Sequence, residues 1–113
     1  MEDKTIKPGD IEGDLLTQEK IKVKKPDMYR IVLLNDDYTP RDFVVWIIIR
    51  VFYKNQEEST RIMLEAHTAG KSTIGVYTYD VATTKVMQVD KLAKQHEHPL
   101  KCILEVESGG EEE

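Results

Sequence analysis

The feature that most constrains the fold is an apolar run over residues 43–53, broken only by Arg50. The run has about half of the roughly 20 residues needed to cross a bilayer, so we expect it in a core or a groove. Thr39, Pro40 and Asp42 precede it and supply a capping hydroxyl, a proline for the first helical turn and an acid. Its β-branched residues favour a strand. The capping pattern and the length outweigh that preference, and we predict a helix over residues 40–53.

Capping and turn signals divide the rest of the chain. Asn55 repeats the capping pattern, and Gly70 supplies a left-handed helix stop. The predicted elements are a strand over 28–34, the helix over 40–53, a helix over 56–68, a strand over 73–78, a helix over 80–94 and a strand over 100–106. The fold class is therefore α+β, with order β-α-α-β-α-β, in which a three-stranded antiparallel sheet packs with three helices.

The predicted domain covers residues 26–107, and a chain of 113 residues fits one core. Residues 1–25 are polar and charged with isolated Ile and Leu, which predicts a flexible amino-terminal arm. Residues 108–113 (SGGEEE) predict a short acidic tail. We expect neither segment to contribute to the core.

Charge and cysteine content exclude several classes of protein. The chain has 16 basic and 21 acidic residues and a net charge of -5, without the basic patch that nucleic acid requires. Cys102 is the single cysteine, and no secretory segment opens the sequence. We expect a cytoplasmic protein that binds no nucleic acid and no membrane.

The residues that could carry chemistry lie at a turn and on the second predicted helix. Met63 and His67, four residues apart, share one helix face with Ala66 on its flank. If that face approaches the Asn35-Asp36-Asp37 turn, amide, carboxylate and imidazole acceptors meet beside an apolar floor. An ammonium group, which has three donors and no acceptor, is the natural complement. The pattern alone also allows a plain turn and a histidine that interacts only with the helix dipole.

Residues 29–105 resemble the ClpS family, adaptors that deliver N-degron substrates to a bacterial Clp AAA+ unfoldase and its protease. The resemblance is carried by Asn35-Asp36-Asp37-Tyr38-Thr39-Pro40, Phe43-Val44-Val45, Ile62-Met63-Leu64, His67 with Gly70, Gly75-Val76-Tyr77, Val81-Ala82, Thr84-Lys85-Val86 and His98-Pro99-Leu100. Order and spacing hold across the whole predicted domain. The resemblance implies an adaptor without enzymatic activity and without a cofactor.

The resemblance also assigns roles to residues of this chain. It implies that Asn35, Asp36 and His67 bind the free α-amino group of a substrate, with Asp37 supporting the rim. A slot for a large first side chain (Leu, Phe, Tyr or Trp) would be lined by Thr39, Val44, Ile47, Met63, Ala66 and Leu100, with Arg41 at its mouth. Asp80, Thr84 and Lys85 resemble the surface that docks on the amino-terminal domain of the unfoldase, and the arm over residues 1–25 resembles the extension that engages the unfoldase.

Two residues depart from the family pattern. Many relatives carry methionine where this chain has Arg41, and Val or Ile where it has Ala66. We expect a different gate at the mouth and a roomier slot. Spacing alone would make Lys85 a solvated surface residue.

Two other functions compete with the adaptor. A hydrolytic metal site could use Asp36, Asp37 and His67, with His96 and His98 as further candidate ligands. No nucleophile with an adjacent base accompanies them, so we predict no enzyme and no metal. A structural interaction domain is the other alternative, since the carboxy-terminal domain of the ribosomal stalk protein has a similar element order and needs no amine ligands.

Overall fold

The computed structural model describes residues 26–107, and within them it confirms the predicted α+β fold. The elements are β1 (Met28–Leu34), α1 (Arg41–Phe52), α2 (Gln56–Ala69), β2 (Lys71–Thr78), α3 (Tyr79–Gln95) and β3 (Lys101–Glu107). The predicted arm over 1–25 and tail over 108–113 lie outside the described residues.

The three strands form one antiparallel sheet in the order β2-β1-β3. Because β1 is central, its Ile31 and Leu33 are almost completely buried, at 0% and 1% exposure. At one end of the sheet Leu34 pairs with Lys71 of β2 and with Lys101 of β3. The chain that leaves β1 therefore starts beside the ends of both neighbouring strands.

Helix α1 confirms the predicted helix, although its cap differs. Pro40 precedes the helix, no side chain caps its first turn, and the Thr39 hydroxyl donates to Asp36 instead. The expectation that Thr39 caps α1 is therefore wrong, because the helix begins one residue later than predicted and Pro40, which has no side-chain acceptor, takes the N-cap position.

Packing decides that α1 is a helix in spite of its β-branched residues. Val44, Ile47, Ile48 and Val51 are buried in the core. Burying one such side chain contributes roughly 1.5–3 kcal/mol. The intrinsic cost of a β-branched residue in a helix is below about 0.7 kcal/mol. The free energy gained by burying one face of α1 therefore exceeds the cost of its unfavourable helix propensity.

Helix α2 begins and ends where the sequence predicts. The Asn55 side chain accepts a hydrogen bond from the backbone N–H of Glu58 at 2.7 Å. Gly70 ends the helix with φ of 93°, in the left-handed region that glycine favours, and its N–H donates to the carbonyl of Ala66. Strand β2 starts at Lys71, two residues earlier than predicted, directly after this reversal. No helix within residues 26–107 is long and apolar enough to cross a membrane.

Cys102 gives the core a chemical reporter. Burial raises the pKa of its thiol to about 12, whereas an unfolded thiol titrates near ~8.5. The folded thiol stays protonated where the unfolded one ionises, so stability should fall as pH rises above about 8.5.

At pH 8 we expect iodoacetamide to label the native protein at least ~100-fold more slowly than the urea-unfolded chain, because only the thiolate reacts. Equal labelling rates would contradict this burial, and the single cysteine makes the readout unambiguous.

Candidate functional site

A cavity of about 340 Å³ opens at the end of the sheet where β1 stops. It lies between the loop over residues 35–40, the start of α1 and the carboxy-terminal half of α2. Its lining residues are Leu33, Leu34, Asn35, Asp36, Asp37, Tyr38, Thr39, Pro40, Arg41, Val44, Met63, Ala66, His67 and Leu100. The volume is at the lower end of the roughly 300–1,000 Å³ typical of ligand sites, so it suits a small group rather than an extended ligand.

One backbone contact brings the two halves of the rim together. The N–H of Asn35, just after β1, donates to the carbonyl of Gly70 at 3.0 Å. Gly70 can point its carbonyl there because it reverses the chain after α2 with positive φ. Asn35 is thereby held beside the last turn of α2, which carries His67.

Asp36 organises the rim loop. One carboxylate oxygen, Oδ1, accepts from the backbone N–H groups of Tyr38 and Thr39 at 2.8 and 2.7 Å. The other, Oδ2, accepts from the Thr39 hydroxyl at 2.8 Å. A carboxylate has about four acceptor positions, so Asp36 retains room for about one more donor together with its negative charge. Asn35 and Asp37 stand exposed on either side of it.

The floor of the cavity is apolar. Val44 of α1, Ala66 of α2 and Leu100 before β3 are buried, and Met63 is half-buried beside them. Met63 lies one turn before His67 on the same face of α2, as the spacing predicts. The cavity therefore joins a rim of polar acceptors to a floor that favours an apolar group.

Arg41 and His67 meet across the mouth. The Arg41 guanidinium nitrogen Nη2 lies 2.6 Å from Nε2 of His67, and both side chains are exposed. A guanidinium can only donate, so Nε2 of His67 is the acceptor in this contact. The acceptor of His67 is thus already in use, and another donor must displace Arg41 to reach it.

The structure brings together most of the residues that the resemblance assigns to the amine-binding rim and to the slot. Asn35, Asp36, Asp37, Thr39, Arg41, Val44, Met63, Ala66, His67 and Leu100 all line the cavity. Ile47 does not, because it lies on the inward face of α1 with 0% exposure and packs in the core. Sequence reasoning gave no role to Leu33, Leu34, Tyr38 and Pro40, which also line the cavity. Their position in or next to the rim segment was the available signal.

The histidines of the alternative metal site lie elsewhere. His96 and His98 stack against Phe43, at ring-centroid distances of 5.1 and 4.6 Å. They belong to the outer side of α1 and do not line the cavity with His67. Among residues 26–107, no three His, Cys, Asp or Glu side chains converge in a group that could hold a metal.

Lys85 occupies a defined site at the other end of α1. Its ammonium donates to the carbonyl of Val51 at 2.8 Å and lies 5.0–5.6 Å from the ring centroids of Phe52, Tyr53 and Tyr77. The reading of Lys85 as a solvated surface residue is wrong, because the cation is held over aromatic faces at the negative end of a helix dipole. Asp80 and Thr84, one helical turn apart on α3, are exposed nearby in sequence.

We therefore expect Lys85→Ala to destabilise the domain by about 1–2 kcal/mol, since a charged hydrogen bond and cation–π contacts are lost. In a domain of this size this lowers the melting temperature by roughly 4–15 °C. Thermal unfolding followed by circular dichroism measures the effect. The control is Lys94→Ala, whose lysine side chain is 77% exposed and pairs with Asp90 one turn away. Equal melting temperatures for the two variants would contradict a structural role for Lys85.

Fold and cavity together define a small α+β domain in which one cavity joins a polar rim to an apolar floor. A family model described as "ATP-dependent Clp protease adaptor protein ClpS" matches residues 24–103. The Clp protease adapter protein ClpS of Hyphomonas neptunium is 56% identical over 102 residues, which cover 88% of this chain and 86% of that protein. ClpS 1 of Rhizobium meliloti is 55% identical over 91 residues, which cover 80% and 78% of the two chains.

A solved structure of a ClpS protein also matches this chain. The structure of Agrobacterium tumefaciens ClpS2 bound to L-phenylalaninamide matches with a TM-score of 0.72 and 37% identity, over 74% of this chain and 100% of that one. The chain belongs to the ClpS family of Clp protease adaptors. Its relatives are named as adaptors rather than enzymes, and the partner that the family name implies is a Clp protease.

Proposed function

We propose that this adaptor binds the free α-amino group and the large hydrophobic first side chain of N-degron polypeptides and delivers them to a Clp AAA+ unfoldase. The observation that carries the proposal is the joining of an acceptor-lined rim to an apolar floor in one cavity. L-phenylalaninamide, which a related ClpS2 binds, has the same two parts, an α-amino group and an apolar side chain.

In the proposed complex the ammonium lies at the rim. The Asn35 amide oxygen, the remaining acceptor position of Asp36 and Nε2 of His67 accept hydrogen bonds from its three N–H groups, which satisfies every donor of the ammonium. Asp37, exposed on the same loop, adds negative charge. The first side chain enters between Val44, Met63, Ala66 and Leu100.

Arg41 has to move for this to happen. Its guanidinium occupies Nε2 of His67 in the free protein and would repel an ammonium placed there. The side chain is exposed, and exposed polar contacts are worth only about 0.2–1 kcal/mol, so displacement costs little. Arg41 then lies free at the mouth, beside the second residue of the substrate.

The first-residue series tests the proposal. Fluorescence polarisation with peptides that differ only in the first residue should show binding for Leu, Phe, Tyr and Trp and at least ~tenfold weaker binding for Ser and Lys, because the floor offers no partner for polar groups. Similar affinities across the series would favour the alternative, a structural interaction domain without a pocket for amino termini.

Delivery requires a second surface, which we assign to Asp80, Thr84 and Lys85 docking on the amino-terminal domain of the unfoldase. Lys85 lies at the end of α1 opposite to the cavity, and Asp80 and Thr84 precede it on α3, so a partner docked there would leave the cavity open. Because Lys85 also supports the fold, the test should use exposed Thr84. Thr84→Arg should weaken stimulated degradation of a Leu-initiated substrate and leave peptide affinity unchanged, and unaltered degradation would contradict the assignment.

Residues 1–25 are proposed to engage the unfoldase. Their deletion should likewise reduce stimulated degradation and leave peptide affinity unchanged.

The displaced Arg41 should make the affinity depend on the charge of the second residue of the substrate. We expect a preference of at most about fivefold for Leu-Glu over Leu-Lys peptides, diminishing in salt, since exposed ion pairs contribute only ~0.2–1 kcal/mol. Arg41→Met should remove the preference and leave the apolar stem contact. Identical Leu-Glu to Leu-Lys ratios in both proteins would show that Arg41 does not face the second residue.

A further inference from the structure

Helix α1 carries a second apolar surface that the core does not use. Val44, Ile47 and Ile48 face inward, whereas Trp46 is 38% exposed and Ile49 is half-buried on the outward side. A helix beside a single sheet needs only one apolar stripe. The outward stripe forms one wall of a shallow groove of about 460 Å³ between α1 and α2, here called the outer groove. It is lined by Arg41, Asp42, Val45, Trp46, Ile49, Gln56 and Met63.

The outer groove is continuous with the cavity. Arg41 and Met63 line both, so the groove begins at the cavity mouth. From there it follows α1 as far as Ile49, opposite Gln56 at the start of α2. The eight helical steps from Arg41 to Ile49 span about 12 Å at a rise of 1.5 Å each. An extended chain advances roughly 3.3 Å per residue, so the groove accommodates about three to four residues.

The Trp46 ring is held in place as the central wall of the groove. It packs against Phe43 and His96 with ring-centroid distances of 5.6 Å to each. The Arg50 guanidinium lies over it at 5.5 Å from the centroid. An aromatic face fixed in this way offers apolar contact area with little ordering cost. Asp42 and Gln56 are exposed at the two ends of the stripe and leave its middle apolar.

We propose that the outer groove binds the segment of an N-degron substrate that follows its first two residues, as an extended strand with an apolar side chain against Trp46. This inference rests on the proposed function, since the first residue fixes where the segment starts. The first residue fills the cavity, the second lies beside Arg41, and residues three to five run along α1. The adaptor then selects substrates by an apolar residue near position four in addition to the first residue.

Trp46 is the only tryptophan of the chain, so its fluorescence reports on the groove directly. Calorimetry should show that Leu-Ser-Ser-Val-Ser-Ser-Ser binds about three- to tenfold more tightly than Leu-Ser-Ser-amide, as expected for partial burial of one valine. The longer peptide should protect Trp46 from acrylamide quenching, whereas the short one should not. Trp46→Gln should abolish the gain and retain the affinity for the short peptide. The control Val106→Gln alters an exposed valine at the opposite end of the sheet and should change neither.

The outcomes separate the two proposals. If the short peptide binds and the longer one gains neither affinity nor protection of Trp46, the groove inference is overturned and the proposed function stands. If the short peptide does not bind the unaltered protein, both fail. Protection of Trp46 that grows with protein concentration in the absence of peptide would show that a second copy of the chain covers the groove, which also overturns the inference.

Discussion

Replacing Asp36 with alanine should weaken binding of a free Leu-initiated peptide by at least about tenfold to a hundredfold. A hydrogen bond to a charged group contributes roughly 1.5–3 kcal/mol, which sets this range. The same carboxylate holds the backbone N–H groups of Tyr38 and Thr39, so the alanine variant also releases the rim loop. The loss should therefore reach or exceed the upper end of the range. Calorimetric titration of the two proteins measures it.

Asp36→Asn separates charge from loop geometry. The amide oxygen can still accept from Tyr38 and Thr39, and the Thr39 hydroxyl can accept from the new amide group instead of donating. The loop should hold its shape while the negative charge is lost. We expect the asparagine variant to lose about tenfold in affinity with an unchanged melting temperature. Binding equal to that of the unaltered protein would exclude Asp36 as an amine ligand.

Filling the cavity should have an effect of similar size. Ala66 is 3% exposed and lies on the cavity floor, so Ala66→Met places a longer flexible side chain where the first residue of a substrate would lie. Burial of a large side chain is worth roughly 1.5–3 kcal/mol, and we expect a loss of about tenfold to a hundredfold for Leu- and Phe-initiated peptides. Fluorescence polarisation measures the loss, and thermal unfolding should show a domain at least as stable as before.

Two variants calibrate this experiment. Leu64→Met makes a comparable change on the solvent-facing side of the same helix, where the leucine is 44% exposed, and should leave binding unaltered. Ala66→Val should lower the affinity for Phe more than for Leu, by up to the 1–3 kcal/mol that pocket discrimination allows per methylene. An unchanged Phe-to-Leu ratio would place Ala66 away from the bound side chain.

The fold was predictable because its signals are local. Asn55 and Gly70 mark the ends of α2 through contacts within one turn, and both contacts are present. The cap of α1 was mispredicted by one residue, because Pro40 and not Thr39 takes the N-cap position, and the Thr39 hydroxyl donates to the rim carboxylate of Asp36. The helical state of the β-branched residues of α1 depends on burial against a sheet formed by distant strands. In the sequence, the capping pattern and the length of the run were the signals that indicated it.

The site was predictable in part, for a different reason. The four-residue spacing of Met63 and His67 defines a shared face without knowledge of the fold. The contact between Arg41 and His67 joins residues 26 positions apart, and that between Lys85 and Val51 joins residues 34 apart. Neither follows from a local pattern. Ile47 was assigned to the slot by resemblance, whereas its position on the inward face of α1 follows only once the sheet is in place.

Capture of a free amino terminus is tested most directly by comparing one Leu-initiated peptide with its amino-acetylated form in the same calorimetric titration. Acetylation removes the charge and two of the three donors of the amine and leaves the first side chain unaltered. We expect acetylation to weaken binding by at least about a hundredfold, since charged hydrogen bonds worth roughly 1.5–3 kcal/mol each are lost at the rim. Equal affinity for the two peptides would contradict the claim that the rim of Asn35, Asp36 and His67 captures a free amino terminus.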